Sequence, residues 1–127
     1  MLNKISKFIV IFFISMSSIN NVFSNENQIN NYWCNKNDGE IQYRTKYGTY
    51  VDCLTSIYAV EVEYDYNWKE GIGQSLHYAE ATGKKPAILL IKRNKSTKNY
   101  ESELKSTIDF FNLPITLFSI QETLEYE

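Results

Sequence analysis

The chain has 127 residues and a formal net charge of −2, which leaves room for one domain. It lacks the strongly basic charge balance that is usual in proteins that hold nucleic acid through many phosphates. Any binding of a polyanion would therefore depend on a local concentration of positive charge.

The first 24 residues differ from the rest of the chain. A short positive region with Lys4 and Lys7 is followed by an apolar run at 8–16 and, at 22–24, by residues that a signal-peptide cleavage site can accept. This is the layout of a secretory signal peptide. The apolar run is shorter than the roughly 20 residues that a permanent membrane helix needs. We expect residues 1–24 to be a cleaved signal peptide, with a retained anchor as the alternative.

Cleavage would leave one mature domain at residues 25–127, exported to the periplasm or secreted and without stable membrane association. It would remove two lysines and no acidic residue, so the formal net charge would change from −2 to −4.

Two cysteines, Cys34 and Cys53, remain in this mature chain. Disulfides persist in proteins that leave the cytoplasm, so one intramolecular bridge is expected. It would close a loop of about 20 residues and contribute on the order of 3 kcal/mol. Two buried free thiols are the alternative.

The mature chain alternates between helix and strand patterns. A polar, asparagine-rich tail becomes a short helix before Asp38, and three strands rich in β-branched and aromatic residues follow. Next comes a helix with the capping-box spacing of Asn67 and Glu70, and then a buried strand, a helix and a last strand. The predicted ranges are 40–45, 49–55 and 58–64 for three strands, 68–82 for a helix ended by Gly83, 87–91 for the buried strand, a helix that opens at 96–99 and carries Leu104, Ile108 and Phe111, and 114–120 for the last strand. This order predicts a single α/β core.

Two carboxylates are expected to face each other across the second and third strands. A tight turn at Ser56 and Ile57 sets Asp52 opposite Glu61, with β-carbons about 5 Å apart, where like charges are destabilising or raise one pKa. A divalent cation removes that penalty, and Mg²⁺ accepts sites with one or two acids. Glu63 adds a third carboxylate on the same face, because strand side chains alternate. The alternative is a shifted register in which the acids never meet.

Residues 51–91 resemble the PD-(D/E)XK nuclease superfamily, especially its small exported bacterial members. The matching features are an aspartate that ends one strand (Asp52), a glutamate in the next (Glu61), a helix with Gln74 and Tyr78 spaced as Q-x-x-x-Y, and an apolar strand after it. The Q-x-x-x-Y spacing is similar to that of the RecB-like exonucleases.

The resemblance implies a restriction-endonuclease-like αβββαβ core, to which this chain adds a C-terminal helix and strand. It also implies Mg²⁺ or Mn²⁺ held by Asp52 and Glu61, and hydrolysis of a phosphodiester in a nucleic acid, with DNA favoured. Glu40, near the first strand, is the candidate to hold a second metal or to orient its water. Gln74 and Tyr78 would position the phosphate backbone, with plain solvent exposure as the alternative.

One position departs from the family pattern. The family's lysine, two residues after the glutamate, is Glu63 here. Several branches of the family place this lysine on the following helix, where Lys69 is available. A cation in the first turn of a helix is mildly unfavourable, by about 0.3–1 kcal/mol, although Asp65 and Glu70 could pair with Lys69 as surface neighbours. We expect Lys69 to orient or polarise the attacking water, or to neutralise charge in the transition state. The alternative is that Glu63 or a second metal orients the water.

Two other functions stay open. The chain could be a catalytically degenerate relative that binds nucleic acid or a protein partner in the cell envelope, or a disulfide-stapled interaction domain with the acids at its surface. Six of the eleven positive charges of the mature domain lie within fifteen residues, at Lys84, Lys85, Lys92, Arg93, Lys95 and Lys98. They form either a phosphate-contacting patch or a solvated loop around a strand.

Overall fold

The computed structural model describes residues 21–22 and 25–124. Apart from Asn21–Val22, the predicted signal peptide lies outside the described residues. Within the described part, no helix has the length and apolar character needed to span a membrane.

The described chain is a mixed α/β domain with one five-stranded sheet and three helices, so the α/β class predicted from the sequence is confirmed. A short 3₁₀ turn, Asp65–Asn67, joins the third strand of the sheet to the second helix. The elements in chain order are β1 Asn21–Val22, α1 Glu26–Lys36, β2 Glu40–Arg44, β3 Tyr50–Leu54, β4 Tyr58–Tyr64, α2 Trp68–Thr82, β5 Lys85–Lys92, α3 Tyr100–Phe110, β6 Thr116–Gln121 and β7 Thr123–Leu124.

The sheet has the order β2-β3-β4-β5-β6. Strands β2, β3 and β4 form an antiparallel meander, whereas β4, β5 and β6 are parallel. Parallel neighbours need crossover connections, and α2 and α3 supply them. The short strands β1 and β7 pair with each other in a separate antiparallel ladder.

Alternating side chains of β4 and β5 divide the core between the two faces of the sheet. On one face Val60, Val62 and Leu89 pack with Ile29 of α1. On the other face Ile88 and Leu90 pack with Trp68 of α2 and with Leu104 and Ile108 of α3. Helix α2 ends where the sequence predicts, at Gly83 with φ of +71°. The expectation that Phe111 lies on the buried stripe of α3 is wrong, because α3 ends at Phe110 and Phe111 is 66% exposed.

A disulfide joins Cys34 at the end of α1 to Cys53 in β3. Both cysteines are fully buried. Gly39 lies against the bridge, since a β-carbon there would be 2.5 Å from the Cys53 sulfur and 2.6 Å from the Cys34 sulfur. The bridge and this close approach fix α1 beside the strand that carries Asp52.

Gly39→Ala is therefore expected to lower the free energy of unfolding by at least the 1–3 kcal/mol or so that is typical of overpacking. Gly73, within α2, is the matched control because a β-carbon there would meet nothing within 4 Å. Gly73→Ala should stabilise the helix by roughly 0.5–1 kcal/mol. Urea unfolding of the oxidised proteins measures both changes. Equal stability of the two variants would contradict the close packing at Gly39.

Candidate functional site

Strands β3 and β4 pair over only part of their length. The register joins Cys53 to Val60 and Leu54 to Ala59, as the tight turn predicts. The ladder then ends, and the Val62 amide donates a hydrogen bond to Asp52 Oδ2 at 2.9 Å. The Asp52 carboxylate therefore lies where the two strands separate.

Two side chains from other elements hold Asp52 in place. Gln42 Nε2 donates to Asp52 Oδ1 at 3.1 Å, and Asn30 Nδ2 of α1 donates to the Asp52 backbone carbonyl at 2.8 Å. Gln42 has φ of +55°, an uncommon conformation for a residue other than glycine. It interrupts the regular pairing of β2 with β3 between Ile41 and Tyr43. Neither Gln42 nor Asn30 was identified from the sequence.

Glu61 is the most enclosed acid of this region. Its side chain faces α2 and is 4% exposed, and its Oε2 atom has no hydrogen-bond partner. Burial raises the pKa of Glu61 to about 10, with further contributions from the charge of Asp52 and from a side-chain hydrogen bond with Asp52. The two carboxyl groups predicted to face each other thus interact, with Glu61 buried and Asp52 partly buried.

Glu63 lies on the same face and is 7% exposed. Its pKa is raised to about 7, mainly by burial and then by the charges of Glu26 and Glu70, against hydrogen bonds from the Asn67 side chain and the Tyr64 backbone that lower it. The predicted capping role of Asn67 is wrong, because its side chain makes no capping bond to α2. It contacts Glu63 instead.

Glu26, the first residue of α1, belongs to the same group of acids. Its pKa is raised by burial and by Asp52, and its own charge raises the pKa values of Glu61 and Glu63. We call Glu26, Asp52, Glu61 and Glu63 the carboxylate cluster. Glu26 was not identified from the sequence because nothing distinguished it from an ordinary acid at the start of a helix.

Helix α2 presents Tyr78 to this cluster. Burial raises the pKa of Tyr78 to about 12, with added effects of Glu61 and Asp52. Gln74 precedes Tyr78 by four residues and so lies on the same helical face. One turn earlier, Gly71 lies against the Glu63 side chain. Gln74 and Tyr78 are both half-buried, on the side of α2 that adjoins the carboxylates.

Two other predicted site residues do not reach the cluster. The Lys69 ammonium lies 5.6 Å from the centre of the Trp68 ring, and it helps Lys98 to lower the pKa of Glu103 on α3. Lys69 precedes Gly71 by two residues, or roughly 200° around the helix, so it points away from the face that meets Glu63. Glu40 is exposed and pairs with Leu54 at the opposite end of the β3–β4 ladder.

The donor set fits a hard cation. Two carboxylates in contact, one with an unpartnered buried oxygen, are what Mg²⁺ uses when water and substrate complete its shell. Among residues 21–22 and 25–124, no three His, Cys, Asp or Glu side chains are arranged as a ready metal site. The fit therefore depends on the Asp52–Glu61 pair.

Comparison with protein-family models, curated proteins and solved structures found no match to this chain. The chemistry of the site must therefore be inferred from its own geometry.

The raised pKa of Glu61 predicts how stability varies with pH. The folded protein binds this proton more tightly than the unfolded chain, where the pKa is about 4.5. The stabilisation is complete below that pH and is lost as the pH rises towards 10. Glu63 adds a smaller loss between 4.5 and about 7.

Wild-type protein without divalent cations should therefore lose on the order of a few kcal/mol of stability between pH 5 and pH 8. Glu61→Gln keeps the shape of the side chain and removes the titration, so its stability should vary much less. Exposed Glu40→Gln is the control and should behave as wild type. Urea unfolding across this pH range measures the effect, and wild-type stability that increases with pH would refute it.

Proposed function

We propose that this chain is a metal-dependent phosphodiester hydrolase of the PD-(D/E)XK type, exported from the cell and acting on nucleic acid. One observation carries the proposal: the buried Glu61 carboxyl group has an unpartnered oxygen and contacts Asp52 where β3 and β4 separate. A buried acid in this state lacks the hydrogen bonds that normally offset burial, and a cation would satisfy it.

The order of the elements supports the same assignment. Helix α1, the β2–β3–β4 meander, the crossover helix α2 and the parallel strand β5 follow the αβββαβ order expected of a restriction-endonuclease-like core. Helix α3 and β6 extend that core by one crossover.

Asp52 and Glu61 would hold the cation. Bound Mg²⁺ or Mn²⁺ would neutralise charge on the phosphoryl oxygens and favour ionisation of a water molecule. Because the pKa of Glu61 is about 10, cation binding near neutral pH must displace its proton.

Glu63 takes the role that the family pattern gives to a lysine. Its pKa of about 7 suits a general base that accepts a proton near neutral pH. The hydrogen bond from Asn67 orients it. Tyr78, with a pKa of about 12, stays protonated and can donate a hydrogen bond to a phosphate oxygen, as can the Gln74 amide.

A second candidate is a relative of this fold that binds nucleic acid or a protein partner in the cell envelope without cutting. The position of Lys69 over Trp68 favours it. In the described part of the chain, no lysine is among the main causes of the shifted pKa values of Glu61 and Glu63. The burial of both acids argues against the third possibility, an interaction domain with these acids at its surface.

The purified mature protein is expected to cleave DNA with Mg²⁺ or Mn²⁺ and to stop when the metal is chelated. Asp52→Asn and Glu61→Gln should each abolish cleavage, because they remove the cation's ligands. Glu40→Gln is the matched acid-to-amide control and should retain wild-type activity. A gel assay with each folded variant measures this. A folded wild-type protein that binds DNA but never cuts it would favour the second candidate.

Two further variants in the same assay identify the group that acts on the water. Glu63→Gln should reduce the rate by about 10²–10⁴-fold, the usual contribution of a general base. Lys69→Ala should leave the rate near that of the wild type, since its ammonium lies towards α3. The opposite pattern would restore the displaced-lysine mechanism.

A further inference from the structure

The loop between β5 and α3 borders a cleft at the carboxyl end of β4 and β5. Its volume is about 350 Å³, and it is lined by Asp65, Gln121 and most of residues 92–101. Three of its side chains are positively charged, at Lys92, Arg93 and Lys98, against two acids, Asp65 and Glu101. Each of the three has an acidic partner, because Glu103 pairs with Lys98 from outside the cleft lining.

Arg93 is held in a fixed orientation at this cleft. Its Nε donates to Oδ1 of the buried Asp65 at 2.9 Å. The guanidinium lies 4.3 Å from the centre of the Tyr66 ring, and that ring stacks on Tyr64 with centroids 5.8 Å apart and planes at 13°. Tyr66 is 46% exposed, so this stack reaches the protein surface next to Arg93.

The two lysines are less tightly held. Lys92 pairs with Glu101 at 3.0 Å, and Lys98 pairs with Glu103 at 3.0 Å, in partly exposed positions. Exposed ion pairs of this kind contribute little to stability and exchange with other ions. A phosphate group can therefore replace either carboxylate.

The cleft lies close to the carboxylate cluster along the chain. Asp65 follows Glu63 by two residues, and Arg93 follows Ile91, the strand partner of Tyr64, by two residues. At about 3.3 Å per residue, the step from Glu63 to Asp65 is roughly 7 Å. The cleft therefore lies beside the end of β4 that carries Glu63.

We propose that this cleft binds the backbone of a single nucleic-acid strand beside the cleavage site. Lys92, Arg93 and Lys98 contact its phosphates, and a base contacts the exposed part of Tyr66. The substrate class rests on the proposed function. A cleft that presents several cationic side chains next to an exposed aromatic ring is typical of single-strand binding, and a recessed site fits a flat anionic lipid surface less well.

The test uses fluorescence anisotropy of a labelled single-stranded oligodeoxynucleotide in EDTA, where no cleavage occurs, over a series of salt concentrations. The double variant Lys92→Ala with Lys98→Ala should bind more weakly. The slope of log K against log salt should shrink by about 1.4, because each phosphate that is no longer neutralised lowers it by about 0.7. Lys84→Ala with Lys105→Ala removes the same charge outside the cleft and should change both quantities much less.

A gain in affinity gives an independent check. Glu101→Gln with Glu103→Gln releases both lysines from their carboxylates and should tighten binding several-fold. Glu40→Gln with Glu80→Gln makes the same change in net charge away from the cleft and should tighten binding less. If the two pairs of substitutions increased the affinity equally, the gain would be a general effect of net charge, and the proposal would be overturned.

The outcomes separate this site from the proposed function. Metal-dependent cleavage by the wild type, with an unchanged salt slope in the Lys92 and Lys98 variant, would overturn the cleft and leave the nuclease standing. The predicted decrease in slope without any cleavage would support the cleft and count against the nuclease. Absence of oligonucleotide binding would overturn the cleft. The cleft would also be overturned if the Lys92 and Lys98 variant no longer bound vesicles rich in anionic lipid but still bound the oligonucleotide as the wild type does.

Discussion

The carboxyl group of Glu61 lies between α2 and the sheet, in contact with Asp52, with one oxygen that nothing in the described chain satisfies. Burying a polar group without a partner is costly, and a buried acid reduces the cost by keeping its proton. The site therefore stores unfavourable free energy at neutral pH, which a cation can relieve. The proposed chemistry depends on this constraint.

The rest of the fold produces that position. The β3–β4 ladder stops after Cys53 and Val60, and the Asp52 carboxylate takes the Val62 amide in place of a backbone carbonyl. The disulfide at Cys53 keeps α1 beside β3, so Glu26 of α1 lies near the other carboxylates of the cluster. On the other side α2 closes over the acids and contributes Tyr78. A structural staple and a crossover helix thus determine the electrostatics of the site.

Local signals predicted much of this arrangement. The turn at Ser56 and Ile57 set the pairs Leu54–Ala59 and Cys53–Val60 and so brought Asp52 next to Glu61, and Gly83 marked the end of α2, because both signals act within a few residues. The contribution of Glu26 and the direction of Lys69 depend instead on how helices pack against the sheet, which spacing along the chain does not specify. For the same reason strand alternation could not show that Glu61 and Glu63 are buried, since α2 covers the face of the sheet on which they lie.

The central claim is that Asp52 and Glu61 bind a divalent cation at the expense of a proton. Calorimetric titration of the mature protein with Mn²⁺ at pH 7, in buffers of different ionisation enthalpy, counts the protons released per metal bound. We expect saturable binding of Mn²⁺ with release of about one proton, because the Glu61 carboxyl group is protonated beforehand. Glu61→Gln should show no such release. Absence of binding by the folded wild type, or binding without proton release, would contradict the claim.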